Sequence, residues 1–177
     1  MSRRSSTQFH PLARLLHWLM AILILTMLFV GVSMVADLSP RHTLLISLHK
    51  AIGMALFVLV LVRIVVRLSL GSPPLPSDMP AAQRLAAKAS HLLLYALMLA
   101  MPLIGWGMLS AGGYPLALNL PPLLPQDIER YAQLRVAHSW LAYLLFATVL
   151  LHLAAALVHG LVRRDGVLRS MWPGAPR

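Results

Sequence analysis

Four stretches of this chain are apolar for long enough to cross a bilayer, over residues 15–35, 49–68, 91–109 and 136–162, and none of them contains an acidic residue. A hydrocarbon core about 30 Å thick needs about 20 apolar residues in helical form. It offers no water to pair backbone N–H and C=O groups, so segments of this kind become helices. Hydrophobic residues make up 59% of the chain and charged residues 11%, with a mean hydropathy of +0.76. That is far from the balance of a water-soluble domain. Four spans within 177 residues leave short loops and no room for a soluble catalytic module. The expected fold is all-α, an integral membrane four-helix bundle forming one domain over residues 1–177.

The first span follows Arg3 and Arg4, the pattern that opens a secretory signal. Its apolar run exceeds a signal core, however, and the small-x-small cleavage pattern around Ala36 is poor, so it is read as a span. Orientation comes from the basic residues beside the spans. Arg3, Arg4, Arg14, Arg63, Arg67, Arg84, Lys88, Arg163, Arg164, Arg169 and Arg177 share one side. The other side holds Arg41, Lys50, Arg130 and Arg135, offset by Asp37, Asp127 and Glu129. Both termini are therefore expected in the cytoplasm of a bacterium, with the chain in its inner membrane. The net charge of +10 flanks spans and forms no stripe with interleaved aromatics, so anionic lipid and not nucleic acid is the expected partner. Zero cysteines exclude thiolate haem ligation, iron–sulfur clusters, CxxCH haem attachment and disulfides.

Proline and glycine punctuate the connections. Residues 71–80, GSPPLPSDMP, form a linker, and residues 81–89 read as a short helical lead into the third span. The connection over 111–135 opens with Gly112 and Gly113 and carries four prolines, and its residues 126–135 read as a short interfacial helix.

The chemistry lies in the histidines. His138 and His152 are fourteen residues apart on the fourth span, which is about 40° short of four full turns. Both imidazoles share a face, about 21 Å apart along the axis. His17 stands early on the first span and His49 early on the second. With alternating span directions, His17 and His152 fall at the cytoplasmic level and His49 and His138 at the outer level. Ionisable groups inside a span are costly and usually face a bundle interior. A single histidine near a span end is more often an interfacial polar group, but four with matched depths point to two bis-imidazole haems. Filling both axial positions keeps oxygen off the iron and suits electron transfer. Each of the four has a small residue one turn on, Ala21, Gly53, Ala142 and Ala156, where a porphyrin plane needs room, whereas His10, His42, His91 and His159 do not. The ten methionines need only be flexible filling and receive no redox role.

The segments HW at His17, HKAIG from His49 to Gly53, VRIVVRL from Val62 to Leu68, PLIG from Pro102 to Gly105 and HSWLAYLLFATVLLHLAAALVH from His138 to His159 resemble the bacterial cytochrome b561 family, itself similar to the cytochrome b subunits of nickel–iron hydrogenases. The likeness covers nearly the whole chain in order. It implies four transmembrane helices holding two b-type haems through His17, His49, His138 and His152, in agreement with the depth argument. The resemblance is closest to stand-alone superoxide oxidases, which take electrons from superoxide on the periplasmic side and reduce ubiquinone. The expected activity is therefore that of a superoxide:ubiquinone oxidoreductase with no obligate protein partner.

Other residues admit two readings each. Lys50 and Arg135 flank the outer histidines and either steer the superoxide anion or simply anchor the interface. Arg63 and Arg67, one turn apart, suit haem propionates, with Arg63 the deeper candidate, although positive-inside topology also places them there. His91 and His159 either bond a quinone carbonyl or a propionate, or are plain interfacial histidines. Pro102, Gly105 and Gly107 bend or thin the third helix beside a haem or serve packing, and Trp18, Trp140 and Trp172 read as interfacial belt residues.

Two further functions compete. A cytochrome b anchor would relay electrons between a hydrogenase or dehydrogenase and quinone, but the short loops offer it little docking surface; copurification with a soluble subunit would favour it. An ion transporter would be expected to carry intramembrane carboxylates, and the spans have none.

Overall fold

The computed structural model describes residues 8–36, 39–76 and 78–172. Arg3, Arg4, Asp37 and Arg177, used above for orientation, lie outside them. Four long helices follow in order: α1 Pro11–Ala36, α2 Arg41–Leu70, α3 Ala81–Ala111 and α4 Ile128–Leu157. Each is long and apolar enough to span a membrane. A π-helical stretch, Val158–Arg163, continues α4, and a single turn, α5 Val167–Ser170, ends the described chain.

The helices run further than the apolar runs alone, and local chemistry sets their ends. Pro11 opens α1, where its missing N–H is no loss, and His10 Nδ1 accepts the Leu12 N–H at 3.3 Å. Gly71 stops α2 at φ 69°, a backbone angle that L side chains resist, while its N–H reaches back to the Arg67 carbonyl. Residues 81–89 are the first turns of α3 itself. Asp127 caps α4 by accepting the Arg130 N–H at 3.0 Å. The expected interfacial helix over 126–135 is therefore not separate; with a cap at Asp127 and no breaker before His138, the helix begins at Ile128 and runs on.

The helices pack as two hairpins, α1 on α2 and α3 on α4, joined through α2 and α3. Neither α1 nor α2 packs its backbone along α4 in the same way. Val60, Leu97, Met20, Leu16 and Leu145 form a thin buried core, whereas Phe29, Val35 and Leu151 are largely exposed. An apolar exterior of this extent belongs in lipid, where helix association rests on packing and polar contacts more than on apolar burial.

Bonds across the bundle gather the basic residues at one end. Arg63 donates to the Ala13 carbonyl, Arg14 to the Trp172 carbonyl, and Arg163 to Gln83 Oε1. Lys50 lies at the opposite end and donates to the Pro115 carbonyl at 3.2 Å. There the α3–α4 connection folds back on α3: Ser110 Oγ accepts the Leu123 N–H, Trp106 Nε1 donates to the Pro121 carbonyl, and the Asp127 N–H reaches the Ala111 carbonyl.

Candidate functional site

α4 presents His138 toward α2 and His152 toward α1. The His49 and His138 ring centroids are 6.1 Å apart with planes at 65°. Those of His17 and His152 are 6.3 Å apart at 70°. A metal held at about 2 Å by one nitrogen from each of two facing imidazoles sets their centroids roughly 6 Å apart. Both pairs meet that requirement, and at two depths, called outer and inner after the orientation expected from the basic residues.

At the outer pair, His49 Nδ1 and His138 Nδ1 are buried without a hydrogen-bond partner. The Met101 backbone approaches the His138 ring without closing a bond of ordinary geometry. An orphaned buried polar atom costs about 1–3 kcal/mol, so the chain alone satisfies this pair poorly. Among the described residues no three or more His, Cys, Asp or Glu side chains gather as an all-protein metal cage. Opposed pairs are the donor set an iron porphyrin needs, because the macrocycle supplies the other four ligands. The residues fit the group.

Two glycines border the outer pair. A Cβ on Gly105 would stand 3.5 Å from His138 Cε1, and one on Gly31 would stand 4.0 Å from His49 Cε1. Gly53, chosen from sequence for its position one turn beyond His49, faces the Met27 methyl, where a Cβ would stand at 3.2 Å. Gly31 was missed; its signal was a glycine inside an apolar span whose neighbour carries a histidine. Gly105→Ala is expected to keep its cofactor load, since 3.5 Å is ordinary contact. Gly105→Leu drives a branched side chain into the His138 ring and should lose about one haem per chain, measured by pyridine haemochrome on purified protein.

The inner level is more crowded. His91 stands beside His152 with centroids 5.6 Å apart. Arg63 is held by three protein acceptors: Tyr95 Oη at 3.1 Å, the Ala13 carbonyl at 3.2 Å and His17 Nδ1 at 3.2 Å. A guanidinium only donates, so Nδ1 accepts and the neutral His17 ring carries its proton on Nε2. Tyr95 helps hold Arg63, and iron ligation at His17 Nε2 would require that proton to leave. Arg67 stacks over the Phe9 ring, its guanidinium carbon 5.1 Å from the centroid. Trp18, read as a belt residue, donates to the Met171 carbonyl at 2.8 Å and packs edge-on against Trp172. Trp140 is exposed.

His159 does not stand alone at the interface. Its Nδ1 lies 2.5 Å from Asp165 Oδ2. Burial pushes the Asp165 carboxyl up, but the His159 bond, the Val167 amide and the charges of His159 and Arg163 outweigh it and hold the group below its usual range. A carboxyl depressed by folding contributes stability that is complete above its unfolded pKa, about 3.9, and lost as pH falls through the folded value. Hydrogen-exchange protection of the Val167 amide, which donates to Asp165 Oδ1, should therefore hold above about pH 5 and fall away below about pH 4.

At the outer end Arg135 is exposed and lines a groove of about 370 Å³ with Tyr131, Ser139 and Trp140. Lys50 is tied to the loop through Pro115.

Spans of this length, with imidazoles opposed at two depths, define the class as a four-helix membrane cytochrome. The profile of prokaryotic cytochrome b561 matches residues 8–174, and the chain belongs to that family. It is 28% identical to cytochrome b561 homolog 1 of Escherichia coli (strain K12) over 98% of both chains. It is 32% identical to cytochrome b561 homolog 2 of the same organism, over 88% of this chain and 86% of the relative. A third relative, a probable superoxide oxidase CybB of Yersinia pestis, is 29% identical over 89% of this chain and 92% of its own. Membership makes the chain a membrane electron-transfer protein and implies b-type haem.

Proposed function

We propose that this protein is a dihaem superoxide:ubiquinone oxidoreductase of the bacterial inner membrane. In this reading one domain holds both haems, the termini are cytoplasmic, and the overall reaction converts two superoxide anions, one quinone and two protons into two dioxygen molecules and one quinol. The observation that carries it is the pair of facing imidazole sets, 6.1 and 6.3 Å between centroids, at opposite ends of α4. His49 and His138 would hold the outer haem, and His17 and His152 the inner one. Bound there, a haem would supply one-electron chemistry.

The chain's own residues do the rest. Arg63 puts a fixed positive charge beside His17 at the inner level. Gly105 and Gly31 leave room beside the outer imidazoles. Lys50 and exposed Arg135 make the outer end attractive to a small anion. A relative named a probable superoxide oxidase supports this choice of donor.

The test is haem stoichiometry by optical spectroscopy, followed by stopped-flow mixing with superoxide with and without quinone. Two low-spin haems per chain, reduced by superoxide and reoxidised by quinone, are expected. Two haems indifferent to superoxide would replace this reading with that of a relay subunit, and a haem-free protein would end both.

A further inference from the structure

Beyond His152 the last long helix changes register. Val158–Arg163 is π-helical, Arg164 takes a left-handed backbone at φ 52°, and Gly166 follows at φ 83°. The chain thus reverses within three residues and brings Asp165 back against the helix it has just left. Its carboxylate is used on both sides: Oδ2 lies 2.5 Å from His159 Nδ1 and Oδ1 accepts the Val167 N–H at 3.2 Å. The two side chains are only 19% and 16% exposed. A Cβ on Gly160 would run into the Leu168 side chain of α5, so the turn closes over a glycine. Arg163 is the charged neighbour that acts on the pair, and it is held by Gln83 of α3; α5 meets the turn through Leu168.

We infer that Asp165 is a positioning residue that fixes His159 as the proton donor to quinone at the basic end of the bundle. The inference rests on the quinone-reductase reading above. Quinone reduction consumes two electrons and two protons, and the electrons come from two superoxide anions. Each proton must cross from water to a quinone oxygen. A carboxylate on Nδ1 selects the Nδ1–H tautomer and leaves Nε2 as the working nitrogen. The Nε2–H bond breaks, its proton joins a quinone oxygen, and the neutral ring keeps its Nδ1 proton on Asp165. Water on the basic side then reprotonates Nε2, and the cycle runs twice per quinone. His159 is seven residues past His152, just across the change from α- to π-helix, roughly 10 Å along the axis, which puts the donor near the inner imidazole pair and toward the basic end.

The experiment uses the full haem-loaded chain, pre-reduced and mixed with a short-chain ubiquinone, following haem reoxidation against pH. In Asp165→Asn, reoxidation near pH 8 should slow at least about tenfold, within the range set for positioned general acids. The deficit should shrink toward about pH 6 as bulk protons become plentiful, while the haem spectrum and reduction by superoxide stay unchanged. Asp165→Glu should recover most of the rate. Should Asp165→Asn fail to assemble, His159→Gln, which leaves the Asp165–Val167 bond in place, must show the same pH-dependent loss. Wild-type rates at every pH, or slowing by one factor at all pH values, would make the pair a structural clasp and overturn the relay. A wild-type protein that quinone does not reoxidise would bring down the functional reading and the relay together.

Discussion

His49→Leu and His138→Leu are expected to give the same protein: one haem per chain in place of two, the same haem missing in each, and nothing further lost in the double variant. The prediction follows from the facing geometry, in which those two rings stand 6.1 Å apart and each would give the proposed haem one ligand. His17→Leu and His152→Leu should instead remove the other haem, since their rings face each other 6.3 Å apart at the opposite level. Low-temperature optical spectra and pyridine haemochrome assays separate the cases. If His138→Leu and His17→Leu removed the same haem, the assignment by depth would be wrong. Leucine is chosen because its volume fills the site without a donor, so loss of ligation is not confused with a cavity.

The second large effect is expected at Arg63. Replacing it with Met removes three hydrogen bonds at once, to Tyr95, Ala13 and His17. Bonds from a charged donor contribute about 1.5–3 kcal/mol each and are not additive when shared by one side chain, so a stability loss of about 3 kcal/mol is expected. Thermal unfolding in detergent measures it. The inner haem should also show a lower midpoint potential, because a fixed positive charge beside an iron favours the reduced form. Arg63→Lys should recover the charge but little of the stability, because an ammonium cannot reach three acceptors in the directions the guanidinium fork does. An unchanged inner-haem potential in Arg63→Met would exclude an electrostatic role at that level.

The fold was legible because membrane spans are specified locally. Twenty apolar residues without a carboxylate can satisfy their backbone only as a helix, and all four such stretches appear as helices. Spacing along one helix was equally legible: fourteen residues fix the His138 and His152 rings on one face, whatever packs against it. Helix ends were less so. They depend on single caps, such as Asp127 before α4 and His10 before α1, which extend a helix past its apolar run.

Contacts between elements lay beyond the sequence. Tyr95 could be seen only as the residue one turn beyond His91, yet it is Arg63, on another helix, that bonds it. His91 was readable as an end-of-span histidine, and only packing of α3 on α4 sets its ring 5.6 Å from His152. Asp165 carried no signal in the sequence; a π-helical stretch and two left-handed residues turn it back onto His159. The sequence by itself determined which segments cross the membrane and which rings share a helix face, because both follow from hydrophobicity and helical period. Tertiary structure alone decided which side chains from different helices meet, because that depends on how far apart the helix axes stand and how each is rotated about its own.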